Sequence, residues 1–287
     1  MKCPHCGQEH PDEFEICPTT GKNLKIACNN EDCSYYGELL FPWFMRQCPC
    51  CGQPLLHYHA LYKSCKHENY SIKGINIRFI KIEGGEFIMG GTPEQGESAS
   101  KAERPPRETY VNDFMISEFP VTQKLWSAVK DDNPSKFKGE NRPVTNVDLY
   151  DCLDFIERLN RITGETFRLP DEEEWEYAAR GGNMNSIFTK YAGSDAIDDV
   201  AWYYSNGGHV THDVGLKLSN ELGLFDMSGN VWEWCNTMQQ DYCNQYFGCY
   251  ANRGGCSTSQ ENGCRTSRRY FSKKNHLSCY LGFRLAI

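Results

Sequence analysis

The sequence has no apolar run long enough to cross a membrane, and Met1-Lys2-Cys3-Pro4-His5-Cys6 begins no segment of signal-peptide character. Positive charge is scarce: 30 Lys and Arg face 38 Asp and Glu, for a net charge of −8. Such a balance is ill-suited to displacing the counterions of a nucleic acid, so a general nucleic-acid binder is not expected. A disulfide framework is also missing, although there are 16 cysteines. The N-terminal ones come in short-range pairs suited to metal, and a reducing cytoplasm is the expected compartment. One stretch departs from the acidic balance, where Arg253, Arg265, Arg268, Arg269, Lys273, Lys274 and Arg284 face only Glu261. These are expected to be a solvated face with a few buried structural arginines.

With 39% hydrophobic residues over 287 positions, the chain can bury one large core beside a small domain. Cys3-Pro4-His5-Cys6-Gly7 and Cys48-Pro49-Cys50-Cys51-Gly52 are both C-P-x-C-G knuckles. Two thiolates at that spacing can converge on one ion, because the glycine permits a tight turn. Cys28 and Cys33 supply a second pair for Cys48 and Cys51, giving a four-thiolate structural zinc site over residues 26–57. Over residues 1–25, Cys3, Cys6 and Cys17 form a degenerate ribbon in which Thr20 replaces the last cysteine. His5 and His10 are both candidates for the fourth ligand, and a metal-free ribbon is the alternative. Metal binding would supply most of the folding free energy of so small a segment.

Residues 58–75 read as a polar linker before a domain over 76–287. Ile77, Phe79, Ile80 and Ile82, then Phe87, Ile88 and Met89, predict two strands joined by a hairpin at Glu83-Gly84-Gly85-Glu86. Leu149, Cys152, Leu153, Ile156 and Leu159 recur at helical spacing, with Asn146 as N-cap and Gly164 beyond the end. Phe167-Arg168-Leu169 predicts a short strand. Asp171 and Glu174 open a second helix that carries Trp175, Ala178 and Ala179 as far as Gly181. From Tyr191 onwards periodicity fades, as in a domain built from ordered loops.

Seven motifs in this region resemble those of the formylglycine-generating enzyme (FGE-sulfatase) family, in the family's order. Among them are Gly84-Gly85-Glu86-Phe87-Ile88-Met89-Gly90, Glu174-Trp175-Glu176-Tyr177-Ala178-Ala179-Arg180, Gly223-Leu224-Phe225-Asp226-Met227-Ser228-Gly229-Asn230-Val231-Trp232-Glu233-Trp234 and Leu281-Gly282-Phe283-Arg284. The resemblance implies an irregular α+β fold of FGE/C-type-lectin-like type, with a binding face near the C-terminus.

Two carboxylates seven residues apart around a glycine turn suit calcium. The resemblance implies a site at Asp226, Gly229, Val231 and Glu233, the middle two through their carbonyls. In the alternative, Asp226 and Glu233 only hydrogen-bond the loop. The family's oxidases hold Cu(I), a soft ion, with two thiols that follow Arg-Gly-Gly-Ser-aromatic. Here Arg253-Gly254-Gly255 is followed by Cys256 and Ser257, Ser259 takes the place of the first thiol, and Cys264 that of the second. No catalytic residue is therefore expected, and Cys264 reads as a small buried hydrophobe. The alternative is a copper-dependent, formylglycine-generating oxidase that acts on cysteine of sulfatase-type substrates, with Cys264 and Cys256 as a variant pair.

Between the framework motifs the C-terminal segment is rich in Tyr, Cys, Phe, Ser and Asn, and it resembles the variable proteins of diversity-generating retroelements. That resemblance implies codons randomised at adenine, with Tyr, Cys, Phe, Ser, Asn and Arg allowed and Lys or Gln fixed. Aromatic and Arg side chains on a rigid platform are good binding anchors. The expected function is non-catalytic binding of a protein or glycan ligand through Tyr242, Ser257, Thr258, Arg268, Tyr270, Phe271, Ser272, Ser278, Cys279 and Tyr280.

Overall fold

The computed structural model describes residues 25–26, 41–42, 66–184, 188–239 and 246–287. The chain forms two compact units, Met1–Cys65 and Lys66–Ile287. In the first, β1 (Lys25–Ile26) pairs antiparallel with β2 (Phe41–Pro42). The cysteines expected to bind zinc, namely Cys3, Cys6, Cys17, Cys28, Cys33, Cys48 and Cys51, lie outside the described residues.

The second unit begins earlier than the linker reading expected. β3 (His67–Ile72) and β4 (Ile75–Ile82) form a hairpin across Lys73-Gly74. Both turn residues have positive φ, 49° and 80°, which matches the twist of the flanking strands. Tyr70 of β3 packs edge-on against Phe79 and Phe167, each at 5.3 Å between ring centres, so this strand is anchored to the core. β5 (Gly85–Met89) does not pair with β4. It joins β6 (Arg107–Val111) in a separate two-stranded sheet, while β4 pairs with β7 (Phe114–Ser117). The expected hairpin at Glu83–Glu86 is instead a crossing between sheets. A Cβ on Gly84 would lie 2.2 Å from the Val111 carbonyl oxygen, so glycine is required where the two backbones meet.

α1 (Gln123–Lys130) was not anticipated. Thr122 caps it by accepting from the Leu125 amide, and it buries Leu125, Trp126 and Val129. α2 (Leu149–Thr163) starts from Asp148, whose carboxylate accepts from the Asp151 amide while Asp151 returns the bond. Asn146 is not the cap; it sits in the left-handed region at φ 61° as the chain turns. Gly164, at φ 78°, closes the helix as expected. Leu149, Cys152, Phe155, Ile156 and Leu159 face inward, whereas Leu153 is exposed. α3 (Glu172–Ala179) opens with the Asp171–Glu174 capping box and buries Trp175, Ala178 and Ala179. Phe167–Leu169 contributes a single bridge, from Arg168 to Ala286, in place of a strand.

The core brings Trp126 and Phe155 into a stack 5.0 Å apart, with Phe283 edge-on to Phe155 at 5.5 Å. Then come α4 (Ile197–Val200), β8 (Ala201–Trp202) and β9 (Ser228–Gly229), the last two a parallel pair. β10 (Trp232–Met238), β11 (Tyr250–Arg253), β12 (Arg269–Ser272) and β13 (Leu281–Gly282) form a four-stranded sheet in the order β12-β11-β10-β13. The architecture is α+β, with small sheets and long ordered loops.

Candidate functional site

The C-terminal sheet is held to the rest of the domain by arginines that the sequence places in one basic cluster. Arg265 gives both terminal nitrogens to Glu103, at 2.6 and 2.9 Å. Arg269 holds Glu172 at 2.7 and 2.6 Å. Arg253 binds Glu176 and the carbonyls of Thr266, Ser267 and Arg268. Arg284 holds Glu233 at 2.7 and 2.8 Å. Arg253, Arg265 and Arg284 are fully buried, so their charge is spent on structure and not offered to an anionic partner.

With those charges withdrawn, a cavity of about 310 Å³ opens over β10, β11 and β12. Trp232 and Tyr270 form one wall, their rings 5.5 Å apart. Tyr280 is fixed by donating its hydroxyl to the His209 carbonyl at 2.7 Å. Thr258, Ser259, Ser272 and Ser278 add hydroxyls, and Cys256 a thiol. Asn252 is fully buried against the cavity, and its side-chain oxygen has no hydrogen-bond partner. No Asp, Glu, Lys or Arg lines this cavity among the described residues. The arrangement suits an uncharged group with hydrogen-bond donors and an apolar or aromatic face.

Of the residues expected to contact a ligand, Thr258, Tyr270, Ser272, Ser278 and Tyr280 line this cavity. It does not bring Phe271 there. Alternation along β12 exposes Tyr270 and turns Phe271 inward, where it stacks on Tyr246 at 5.1 Å. Ser257 is also buried, Arg268 lies 3.6 Å from Glu103, and Cys279 is half-buried outside the lining. Tyr242 lies outside the described residues. Sequence reasoning missed Trp232, Asn252 and His276. Trp232 lies two residues before the buried Trp234 in β10, hence on the same face of the strand, and is only partly covered.

The thiols are arranged asymmetrically. Cys256 Sγ lies 3.2 Å from Thr258 Oγ1 and 3.4 Å from Ser259 Oγ, at the cavity wall. Ser259 Oγ also accepts from the Cys256 amide at 3.0 Å. Cys264 is fully buried in an apolar cluster with Tyr191, Val200 and Tyr203, and burial pushes its thiol well above the usual range. The Cys256 thiol adds to that rise, so the two cysteines lie close enough to act on one another.

The calcium expectation can be tested on its donors. Both Glu233 oxygens are held by Arg284, and one also accepts from Trp175 Nε1 at 2.6 Å. Asp226 accepts from the Gly215 amide at 2.8 Å and from the Asn230 side chain at 3.3 Å. Burial pushes the Asp226 carboxyl up to about 6, against the lowering effect of the Gly215 bond. A calcium ion needs six to eight oxygens, and here a guanidinium occupies the second carboxylate. Asp226, Gly229, Val231 and Glu233 therefore do not fit calcium as arranged.

An α+β fold of small sheets, closed by a parallel β10–β13 pair and carrying an aromatic cavity on its C-terminal sheet, defines an FGE/C-type-lectin-like domain. Residues 73–287 match the family of the sulfatase-modifying factor enzyme 1-like domain (FGE-sulfatase), and the chain belongs to that family. It is 34% identical to the chaperone protein LppX of Paenibacillus barcinonensis, over 54% of this chain and 70% of that protein. It is 27% identical to the inactive C-alpha-formylglycine-generating enzyme 2 of Mus musculus, over 56% of this chain and 69% of that one. Among solved structures, variable protein 1 of Treponema denticola aligns with a TM-score of 0.67 at 25% identity, covering 77% of this chain and 98% of that chain. The chain also matches longer curated relatives, of whose length it spans 40% to 49%.

Proposed function

We propose that this protein is a non-catalytic binding module whose C-terminal cavity and the surface around it recognise a protein or glycan ligand. The observation that carries the reading is the cavity itself. Its aromatic wall and hydroxyl rim, with Ser259 among them, stand on an ion-paired sheet, and the family resemblance puts Ser259 where the oxidases have their first thiol. Rigid aromatic anchors beside adaptable hydroxyls are what a binding surface uses to cover area at low entropic cost. The likeness to an inactive formylglycine-generating enzyme and to a variable protein agrees with a scaffold used for binding. Diversification by a retroelement is a further part of the proposal. It requires a neighbouring reverse transcriptase gene and a near-copy of the 3′ segment, differing only where the copy has adenine.

The direct experiment is a screen of the purified full chain against immobilised protein and glycan libraries. Replacing Tyr270 with Ala should weaken any specific ligand by roughly 2 kcal/mol, about thirtyfold, if it is a hot spot. Retained affinity with Tyr270→Ala and Trp232→Ala together would place binding elsewhere.

A further inference from the structure

Asn252 lies on β11, the strand between β10 and β12, with Trp234 and Tyr270 as its register partners. Directly paired residues share a face of the sheet, so its side chain stands between two aromatic residues, and it lines the C-terminal cavity. Asn252 is fully buried. Its Nδ2 donates to the Ala251 carbonyl at 3.3 Å, which leaves Oδ1 as the end of the amide without a partner. Trp234 does not serve it, because the indole Nε1 donates to the Val147 carbonyl at 3.1 Å. A buried acceptor without a donor opposes folding and is rare in native proteins. At a cavity wall, such a group is placed to take a donor from a ligand.

The rest of the lining narrows the class of that ligand. With no Asp, Glu, Lys or Arg among the described lining residues, neither an ammonium nor a carboxylate has a counterion here. The rings of Trp232 and Tyr270 are 5.5 Å apart and inclined at 36°. A flat ring held between two others needs about 7–8 Å, twice a carbon–carbon contact distance, so these two form a wall and not a slot for a nucleobase. Thr258, Ser259, Ser272 and Ser278 border the cavity with hydroxyls, each able to donate and to accept. An aromatic side chain from a protein would stack on the wall but leave Asn252 and these hydroxyls unmatched. The volume, about 310 Å³, is at the small end of ligand sites, on the scale of one substituted ring.

We propose that the cavity recognises a neutral pyranose residue of a glycan. One sugar hydroxyl donates to Asn252 Oδ1, and one C–H face of the ring lies on Trp232 and Tyr270, whose π-faces are negative and attract the weakly positive C–H bonds. The proposal rests on this cavity being the binding site and adds the class of ligand, a glycan in preference to a protein.

The test is saturation-transfer difference NMR on the full chain. The probes are the methyl glycosides of glucose, galactose, mannose and N-acetylglucosamine, with methyl glucuronide as the anionic control. At least one neutral glycoside should receive saturation at its ring C–H protons, and the glucuronide should receive roughly tenfold less, since a charge buried without a counterion is costly. Asn252→Leu replaces the unmatched amide with an apolar side chain of similar size, so transfer should be lost while the melting temperature holds or rises. Tyr270→Ala, at the exposed part of the wall, should also remove it. Transfer to no neutral glycoside, equal transfer to the glucuronide, or transfer that survives either substitution would overturn the proposal. So would a fall in melting temperature with Asn252→Leu, which would show that the amide is already satisfied within the fold. A protein ligand that loses affinity on Tyr270→Ala, with no transfer to any glycoside, would overturn the sugar assignment alone and leave the cavity as the binding site.

Discussion

Replacing Glu233 with Gln should be among the most damaging single substitutions in the domain. Glu233 and Arg284 are both fully buried, and their two hydrogen bonds, at 2.7 and 2.8 Å, join β10 to the C-terminal segment. Arg284 also donates to the carbonyls of Ser117 and Phe225, so the guanidinium cannot swing out without breaking those contacts. Removing the carboxylate charge leaves a desolvated cation without its counterion, for a loss of about 3–5 kcal/mol. For a domain of this size that corresponds to roughly 6–20 °C in melting temperature. Arg284→Met should cost a similar amount, because it strands the carboxylate with Trp175 alone. The double variant Glu233→Gln/Arg284→Met should cost less than the sum of the two by about 2 kcal/mol or more, since removal of both charges leaves neither unpaired. Denaturant unfolding at neutral pH, with and without a calcium chelator, reads all three variants. Additive losses, or a Glu233→Gln cost below about 1 kcal/mol, would refute the clamp. So would a chelator effect on the unaltered protein as large as that of the substitution, because it would restore Glu233 as a calcium ligand.

Acid stability should depend on Glu103. Burial alone would raise its carboxyl, but bonds from Arg265, Ser267 and the Ser100 amide outweigh this and hold it at about 2. Its contribution is complete above the ordinary carboxylate range near 4.5 and is lost as pH falls towards 2, so Glu103→Gln should flatten that part of the stability curve. Phe271→Ala should destabilise the fold by about 3–5 kcal/mol, as for a buried aromatic, whereas Tyr270→Ala, on the exposed side of β12, should leave the melting temperature nearly unchanged. Metal analysis of protein purified without chelator should find one to two zinc ions per chain. Zinc-free protein with an intact N-terminal segment would remove the ribbon proposal.

What could be read from the sequence was local. The Asp171–Glu174 capping box, the glycine that ends α2 and the apolar spacing of Leu149, Cys152, Ile156 and Leu159 all depend on neighbours within a turn or two. Asp148 was overlooked because Asp151 completes the capping box in place of the more common Glu. The pairing of β5 with β6 was hidden, since the Gly-Gly between β4 and β5 is as typical of a hairpin as of the sheet crossing it makes. The aromatic side of the C-terminal cavity was partly legible through Tyr270 and Tyr280. Phe271 was misplaced because composition does not show the phase of a four-residue strand. The fate of the basic cluster lay furthest out of reach: Arg265 meets Glu103 across 162 positions, and no local pattern records such a partner.

The claim that this scaffold binds and does not oxidise is tested most directly by incubating the full chain with Cu(I), oxygen, a thiol reductant and a cysteine-containing sulfatase peptide. With Ser259 where the family resemblance puts the first thiol, and Cys264 buried in an apolar cluster, the peptide should be recovered with its thiol intact and no aldehyde formed. Formation of formylglycine, lost on Cys264→Ala, would contradict the account and identify Cys256 and Cys264 as a working copper pair.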